Sequence, residues 1–176
     1  MKLPPPAPVT RQTGVELTEA RPEDAPELLV LQRCCWVEEA VLNDTLDIPA
    51  LHETLEDVRD WVKTWAVWVL RHEHRLVGAV RARPAGDRWE LGRLMVAPDL
   101  AGRGLGRQLL THAEAQAPAE ARRFVLFTGS RSVRNISLYQ RAGYRLVDAP
   151  ATPGHIRDAV YLEKEVTLRE QPGLPA

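Results

Sequence analysis

Cysteine is nearly absent: the 176 residues hold two, Cys34 and Cys35, side by side. Adjacent cysteines inside a helix disfavour a disulfide between them and give no metal-ligand spacing, so no metal is expected. A reducing, cytoplasmic setting follows as an expectation. Net charge is nearly absent too, with 23 Lys and Arg against 24 Asp and Glu. That balance gives no global bias toward nucleic acid or an anionic membrane surface. No apolar run approaches the length of a membrane span, and "MKLPPPAPVTRQTG" lacks the apolar stretch of a signal peptide. Two phosphate-binding fingerprints are also missing. A nucleotide-hydrolase loop needs G-x-x-x-x-G-K-[ST], whereas Gly106 precedes Arg107 and Gln108. The dinucleotide motif G-x-G-x-x-G is not matched by the G-x-G-x-G found here in mid-chain. There is no internal repeat, and low complexity is confined to loose tails at 1–14 and 168–176.

What remains suits one domain, over about residues 15–167, with 44% hydrophobic and 27% charged residues. A short strand is expected at Val15–Thr18. Pro22 near the start and Glu23 and Asp24 in the first turn then open a helix through "RPEDAPELLVLQRCCWVEEAV". A second helical pattern runs through Leu51, Leu55, Val58, Val62 and Trp65. "WAVWVLRHEHRLVGAVRARPAGDRWELGRLMV" predicts a three-stranded antiparallel meander, turning at His72–His74 and at Pro84–Asp87. His72 and His74 are expected as turn residues. "RRFVLFT" suits a buried strand. "SRSVRNISLYQRAG" predicts a helix capped by Ser132 and stopped by Gly143. "YRLVD" and "AVYLEKEV" are the closing strands.

Three glycines in five positions, Gly102, Gly104 and Gly106, lie at the start of a helix whose apolar face holds Leu105, Leu109, Leu110, Ala113 and Ala117. The unpaired N–H groups and dipole of a helix N-terminus favour an anion such as phosphate. A tight loop packed on a sheet is the plainer alternative.

Two motifs carry a resemblance. "AGRGLG", Ala101 to Gly106, is similar to Q/R-x-x-G-x-G/A, and "LYQRAGY", Leu138 to Tyr144, is similar to L-Y-x-x-x-G-F/Y. With the meander before them, the chain resembles the GNAT superfamily of acyl-CoA-dependent N-acyltransferases across about residues 15–166. The resemblance implies a mixed α/β (α+β) fold, a mostly antiparallel sheet of about six to seven strands flanked by about four helices. It implies an N-acetyltransferase that uses acetyl-CoA, without a metal, on the amine of a small molecule or peptide. Dimers are common among similar proteins, so a homodimer is an expectation. Ala101 departs from the usual Gln or Arg and weakens the phosphate cradle, with Arg103 or Arg107 as compensating charges.

Residue roles follow from the same resemblance. Backbone groups of Leu94, Met95 and Val96 would pair with the pantetheine arm, and 101–107 would cradle the pyrophosphate. Those residues are Ala101, Gly102, Arg103, Gly104, Leu105, Gly106 and Arg107. Tyr139 would be the general acid at the sulfur, against a packing aromatic as the alternative. Asn135, one turn before it, would bond the coenzyme. Ser132 either contacts the coenzyme or only caps its helix. Glu90, on the strand face of Leu94 and Val96 by simple alternation, is the candidate base. Its alternative is a solvated carboxylate or one paired to Arg81 or Arg93. The acceptor pocket would draw on Trp36, Glu38, Glu39, Asn43, Asp44, Asp47 and "PATPGHIRD". That acidic cluster would either attract a cationic amine or be a solvated helix end. Trp61, Trp65 and Trp68 fit core packing better than a ligand platform. Cys34 and Cys35, in the first helix, offer no nucleophile for a covalent intermediate. A non-catalytic acyl-CoA-binding module is the alternative of another class. A nucleic-acid domain using "ARRF" and "SRSVR" lacks the basic charge it needs.

Overall fold

The computed structural model describes residues 14–148 and 158–166. Its seven-stranded sheet runs in the order β1-β2-β3-β4-β5-β7-β6. The strands are β1 Val15–Glu19, β2 Ala66–His72, β3 Arg75–Ala85, β4 Arg88–Val96, β5 Arg123–Gly129, β6 Arg145–Val147 and β7 Ala159–Glu165. All pairings are antiparallel except β4 with β5. The helices are α1 Ala25–Asn43, α2 Pro49–His52, α3 Leu55–Thr64, α4 Leu105–Ala115 and α5 Val133–Arg141. Of the expected tails, 1–14 and 168–176, all but Gly14 lies outside the described residues, as do 149–157 and 167.

The meander forms as expected, with Glu73 at φ 54° and Gly86 at φ 66° carrying the two reversals, but the turns are tighter than expected: His72 is the last residue of β2 and not a turn residue, and Pro84 and Ala85 are paired in β3. The second helical pattern is different: it is cut into α2 and α3. Thr54 sits between them in extended conformation and accepts from the Asp57 N–H at 3.2 Å, while Asp57 accepts from the Thr54 N–H at 2.7 Å. This reciprocal cap starts a new helix where apolar spacing alone continues the old one. Gly143 stops α5 as expected, at φ 94°.

Helices on both faces close the core. Leu109 and Leu110 of α4 are buried against the sheet, and Leu28 of α1 and Val58 of α3 are fully buried in the same cluster. Burying a side chain of this size contributes about 1.5–3 kcal/mol.

One irregularity in β4 sets the geometry of the site. Ala79 faces Met95 and Arg81 faces Gly92, so two residues, Arg93 and Leu94, stand opposite Val80 alone. Arg93 takes φ 49° to make this bulge. Trp89 Nε1 donates to the Ala113 carbonyl of α4 at 2.9 Å, and Val96 lies 3.7 Å from where a Cβ on Gly106 of α4 would stand. An odd and an even position therefore share the α4 side. Glu90, adjacent to Trp89, falls on the opposite face and not with Val96 as simple alternation expects.

Candidate active site

Strands β4 and β5 are paired only from Arg88 to Glu90. Beyond Glu90 they part, leaving one side of Leu91–Val96 without a ladder partner on β5. A cavity of about 450 Å³ occupies the opening and reaches from the glycine turn to Trp65 of the α3–β2 junction. Leu94, Met95 and Val96 all line it.

At the α4 end, a short 3-10 turn at Pro98–Leu100 leads into the glycine turn. Gly102 and Gly104 both sit at φ 81°, a conformation that glycine adopts without the Cβ penalty. No backbone acceptor among the described residues meets the N–H groups of 102–107, and a Cβ on Gly104 would face open space. The turn thus presents a row of bare amides at a helix N-terminus, the arrangement that holds phosphate. Ala101, Gly102, Gly104, Leu105, Gly106 and Arg107 line the cavity, whereas Arg103 is not among its lining residues. Arg134 of α5 lies 3.7 Å from the position a Gly102 Cβ would take and also lines the cavity. Nothing local in the sequence marks Arg134 as a partner of this turn, because the contact depends on how α5 packs beside it.

Tyr139 is buried on the cavity wall, ring edge toward Tyr144 with centroids 6.0 Å apart. Its hydroxyl has no hydrogen-bond partner among the described residues. Burial, and then the charge of Glu39, hold its phenol well above the ordinary value. By contrast, the Tyr144 hydroxyl donates to Glu114 at 2.8 Å, and Lys164 donates to the other oxygen of that carboxylate at 2.7 Å.

Ser132 and Asn135 line the same cavity but point to protein. Ser132 occupies the position before α5 without capping it, and its hydroxyl donates to Glu39 of α1. Asn135 donates to the second Glu39 oxygen at 2.9 Å. Asn43 donates to the Glu39 carbonyl at 2.9 Å and accepts from the Arg131 N–H at 3.2 Å. Glu38, Glu39, Asn43 and Trp36 line the cavity, while Asp44 and Asp47 do not. Asp44 instead ends α1 in left-handed conformation. Of "PATPGHIRD", all but Asp158 lies outside the described residues.

Glu90 lines the cavity and accepts from Arg83 Nε at 2.9 Å, rather than from Arg81 or Arg93. Arg93 pairs with Glu53 at 2.5 Å, and Gln32 donates to the same carboxylate at 2.7 Å. Trp61 and Trp68 are buried as core residues, but Trp65 is half-buried on the cavity wall, with Arg81 and Arg83 each 4.1 Å from its ring centroid. Arg81 has Trp61 as a second aromatic neighbour at 5.1 Å. Burial first, and the charge of Arg93 second, push the Arg81 guanidinium down to about 9.

Cys35 departs from expectation. Helix α1 lies over β4, so Cys35 borders the cavity and donates from Sγ to the Val96 carbonyl at 3.3 Å. Burial pushes its thiol up to about 12, which leaves it protonated and weakly nucleophilic at neutral pH. No cluster of three or more His, Cys, Asp or Glu suited to a metal occurs among the described residues. No helix among them is long and apolar enough to cross a membrane.

A parted sheet with bare amides at its mouth is the architecture of an acyl-transferring domain, and the family model described as the acetyltransferase (GNAT) family matches residues 26–144. The chain belongs to the GNAT acetyltransferase family. Among solved structures, it is similar to an acetyltransferase from Thermus thermophilus, at 24% identity and TM-score 0.66, covering 86% of this chain and 97% of that one. It is also similar to the PaiA N-acetyltransferase of Thermoplasma acidophilum in complex with coenzyme A, at 15% identity and TM-score 0.72, covering 86% and 99%. The yncA protein of Salmonella typhimurium with acetyl-CoA aligns at 16% identity and TM-score 0.68, covering 92% and 99%. No curated protein matches.

Proposed function

We propose that the protein transfers the acetyl group of acetyl-CoA to the primary amine of a small-molecule or peptide acceptor, directly, with both substrates bound together. The observation that carries this reading is the parting of β4 from β5 beside the bare amides of 102–107. It offers two fixed sets of backbone donors and acceptors along one channel, one for phosphate and one for an amide-rich arm. The ligands of two solved neighbours, coenzyme A and acetyl-CoA, support the same assignment. Arg107 and Arg134 supply the charge that Ala101 does not.

In this reading the acceptor nitrogen attacks the thioester carbon; a C–N bond forms and the C–S bond breaks. Glu90 takes the ammonium proton through water, Tyr139 gives its hydroxyl proton to the departing thiolate, and the second proton, lost from nitrogen as the amide forms, passes through water to restore the Tyr139 hydroxyl. A phenol raised by burial stays protonated at neutral pH, as a general acid must. Glu39 is a positioning residue: it ties α1 to Ser132 and Asn135, the first turn of the helix that carries Tyr139. Cys35 takes no part as a nucleophile, because its thiol stays neutral. Neither nucleic acid nor a membrane takes part.

Calorimetric titration with acetyl-CoA, CoA and 3′-dephospho-CoA, followed by a thiol-release assay over amines, tests the proposal. Saturable micromolar binding with amine-dependent release is expected. Binding without release for any amine would leave an acyl-CoA-binding module, and no binding by folded protein would overturn both. Glu90→Gln should slow turnover most at low pH, where unprotonated amine is scarce. An unaltered pH–rate profile removes Glu90 from the mechanism.

A further inference from the structure

Arg81 stands out among the charged groups of the cavity. It forms no ion pair and no hydrogen bond among the described residues, and its buried Nε has no partner. The nearby carboxylates are already engaged: Glu90 by Arg83, Glu53 by Arg93 and Gln32. Three guanidiniums and two carboxylates therefore leave one positive charge uncompensated, held against Trp65 and Trp61. A largely buried cation without a counter-ion is costly, and cation–π contact offsets only part of that cost. An anion from outside would complete the set, and a carboxylate matches the planar fork of a guanidinium.

Position narrows the chemistry. Arg81 stands opposite Gly92 on β4, inside the stretch that has parted from β5 and two residues before Leu94. Glu38 and Glu39 also line the cavity, Glu39 with both oxygens held by Ser132 and Asn135. Trp36 and Trp65 add apolar wall to the same cavity.

We propose that the acceptor is a small amine that carries a carboxylate, the chemistry of a free amino acid, and that its carboxylate docks on Arg81. This rests on the acyltransferase reading for the fate of the amine but not for the carboxylate site. Arg81 is then a specificity-determining residue. An acceptor without the carboxylate leaves the guanidinium unpaired, so discrimination comes from a charge left bare.

The test compares each proteinogenic amino acid with its decarboxylated amine in the thiol-release assay, for the natural protein, Arg81→Gln and Arg81→Lys. Amino acids are expected to be preferred at least about tenfold in kcat/KM. Arg81→Gln should raise the acceptor KM about 10- to 100-fold with acetyl-CoA affinity unchanged, and Arg81→Lys should recover part of the loss. Preference for the decarboxylated amines, or an Arg81→Gln variant with unchanged acceptor KM, overturns the proposal. Should Arg81→Gln fail to fold, the preference of the natural protein decides. Calorimetric titration with the N-acetyl amino acids reads the carboxylate site without turnover. Saturable binding to at least one, lost in Arg81→Gln, supports the proposal even where no thiol release is seen and the acyltransferase reading has failed. Binding to none overturns it.

Discussion

The two ends of the cavity are built on different principles. At the glycine turn the donors are main-chain N–H groups, fixed by Gly102 and Gly104 in left-handed conformation and by the start of α4. At the Trp65 end everything is side chain: Arg83 with Glu90, Arg93 with Glu53 and Gln32, and Arg81 against two indoles. At the first end the donors stay in place when a side chain changes, because the backbone carries them. At the second each charge is held by another side chain, so a single substitution alters what the cavity presents and can leave a partner unpaired.

That contrast can be broken at several points. The largest effect is expected where the two ends meet: Tyr139→Phe should lower kcat by about 10- to 10³-fold while acetyl-CoA affinity stays near normal. Equal turnover in steady-state assays would return Tyr139 to the role of a packing aromatic. Next comes the side-chain end. Glu53→Gln leaves Arg93, with 10% of its side chain exposed, without its counter-ion, and should cost about 3 kcal/mol of stability in denaturant unfolding. At the main-chain end, Gly104→Val forces a β-branched residue to φ 81° and should cost about 1–3 kcal/mol of stability in denaturant unfolding, with weaker acetyl-CoA binding in calorimetry where the turn relaxes to relieve the strain. Unchanged affinity would place the phosphates elsewhere.

The smallest effect concerns α1 between the two ends. Cys34 is exposed and should be alkylated by iodoacetamide at pH 8, whereas Cys35 should resist until the protein unfolds; peptide mass mapping separates them. The sign of the linkage is definite. The Cys35 thiol ionises at its ordinary 9.0 when unfolded but near 12 when folded, so its contribution is intact below about pH 9 and is lost as pH climbs toward 12.

The same division explains what was legible in the sequence. "AGRGLG" and "LYQRAGY" are local: turn glycines, a helix start and a helix stop within a few residues of one another. The meander was legible for the same reason, since its reversals are written in adjacent residues. The cut at Thr54 was not, because apolar spacing runs straight through a cap whose effect depends on Asp57 turning back. Glu90 paired with Arg83 instead of Arg81 or Arg93 because partners on β3 and β4 are chosen by register, and the register contains the Arg93–Leu94 bulge. Arg134, Cys35 and the Arg81–Trp65 contact are likewise products of packing between distant elements, with no period or spacing to announce them.

The bulge in β4 gives one strand two reading frames. Upstream of Arg93, odd positions such as Trp89 belong to the α4 side and even ones such as Glu90 to the other; downstream, Val96 shows the parity reversed. Deleting a single residue there would restore strict alternation. Trp89 and Val96 would keep the α4 side and Glu90 the other, so what the strand would lose is the bulge itself, with the extra backbone unit it sets against the cavity.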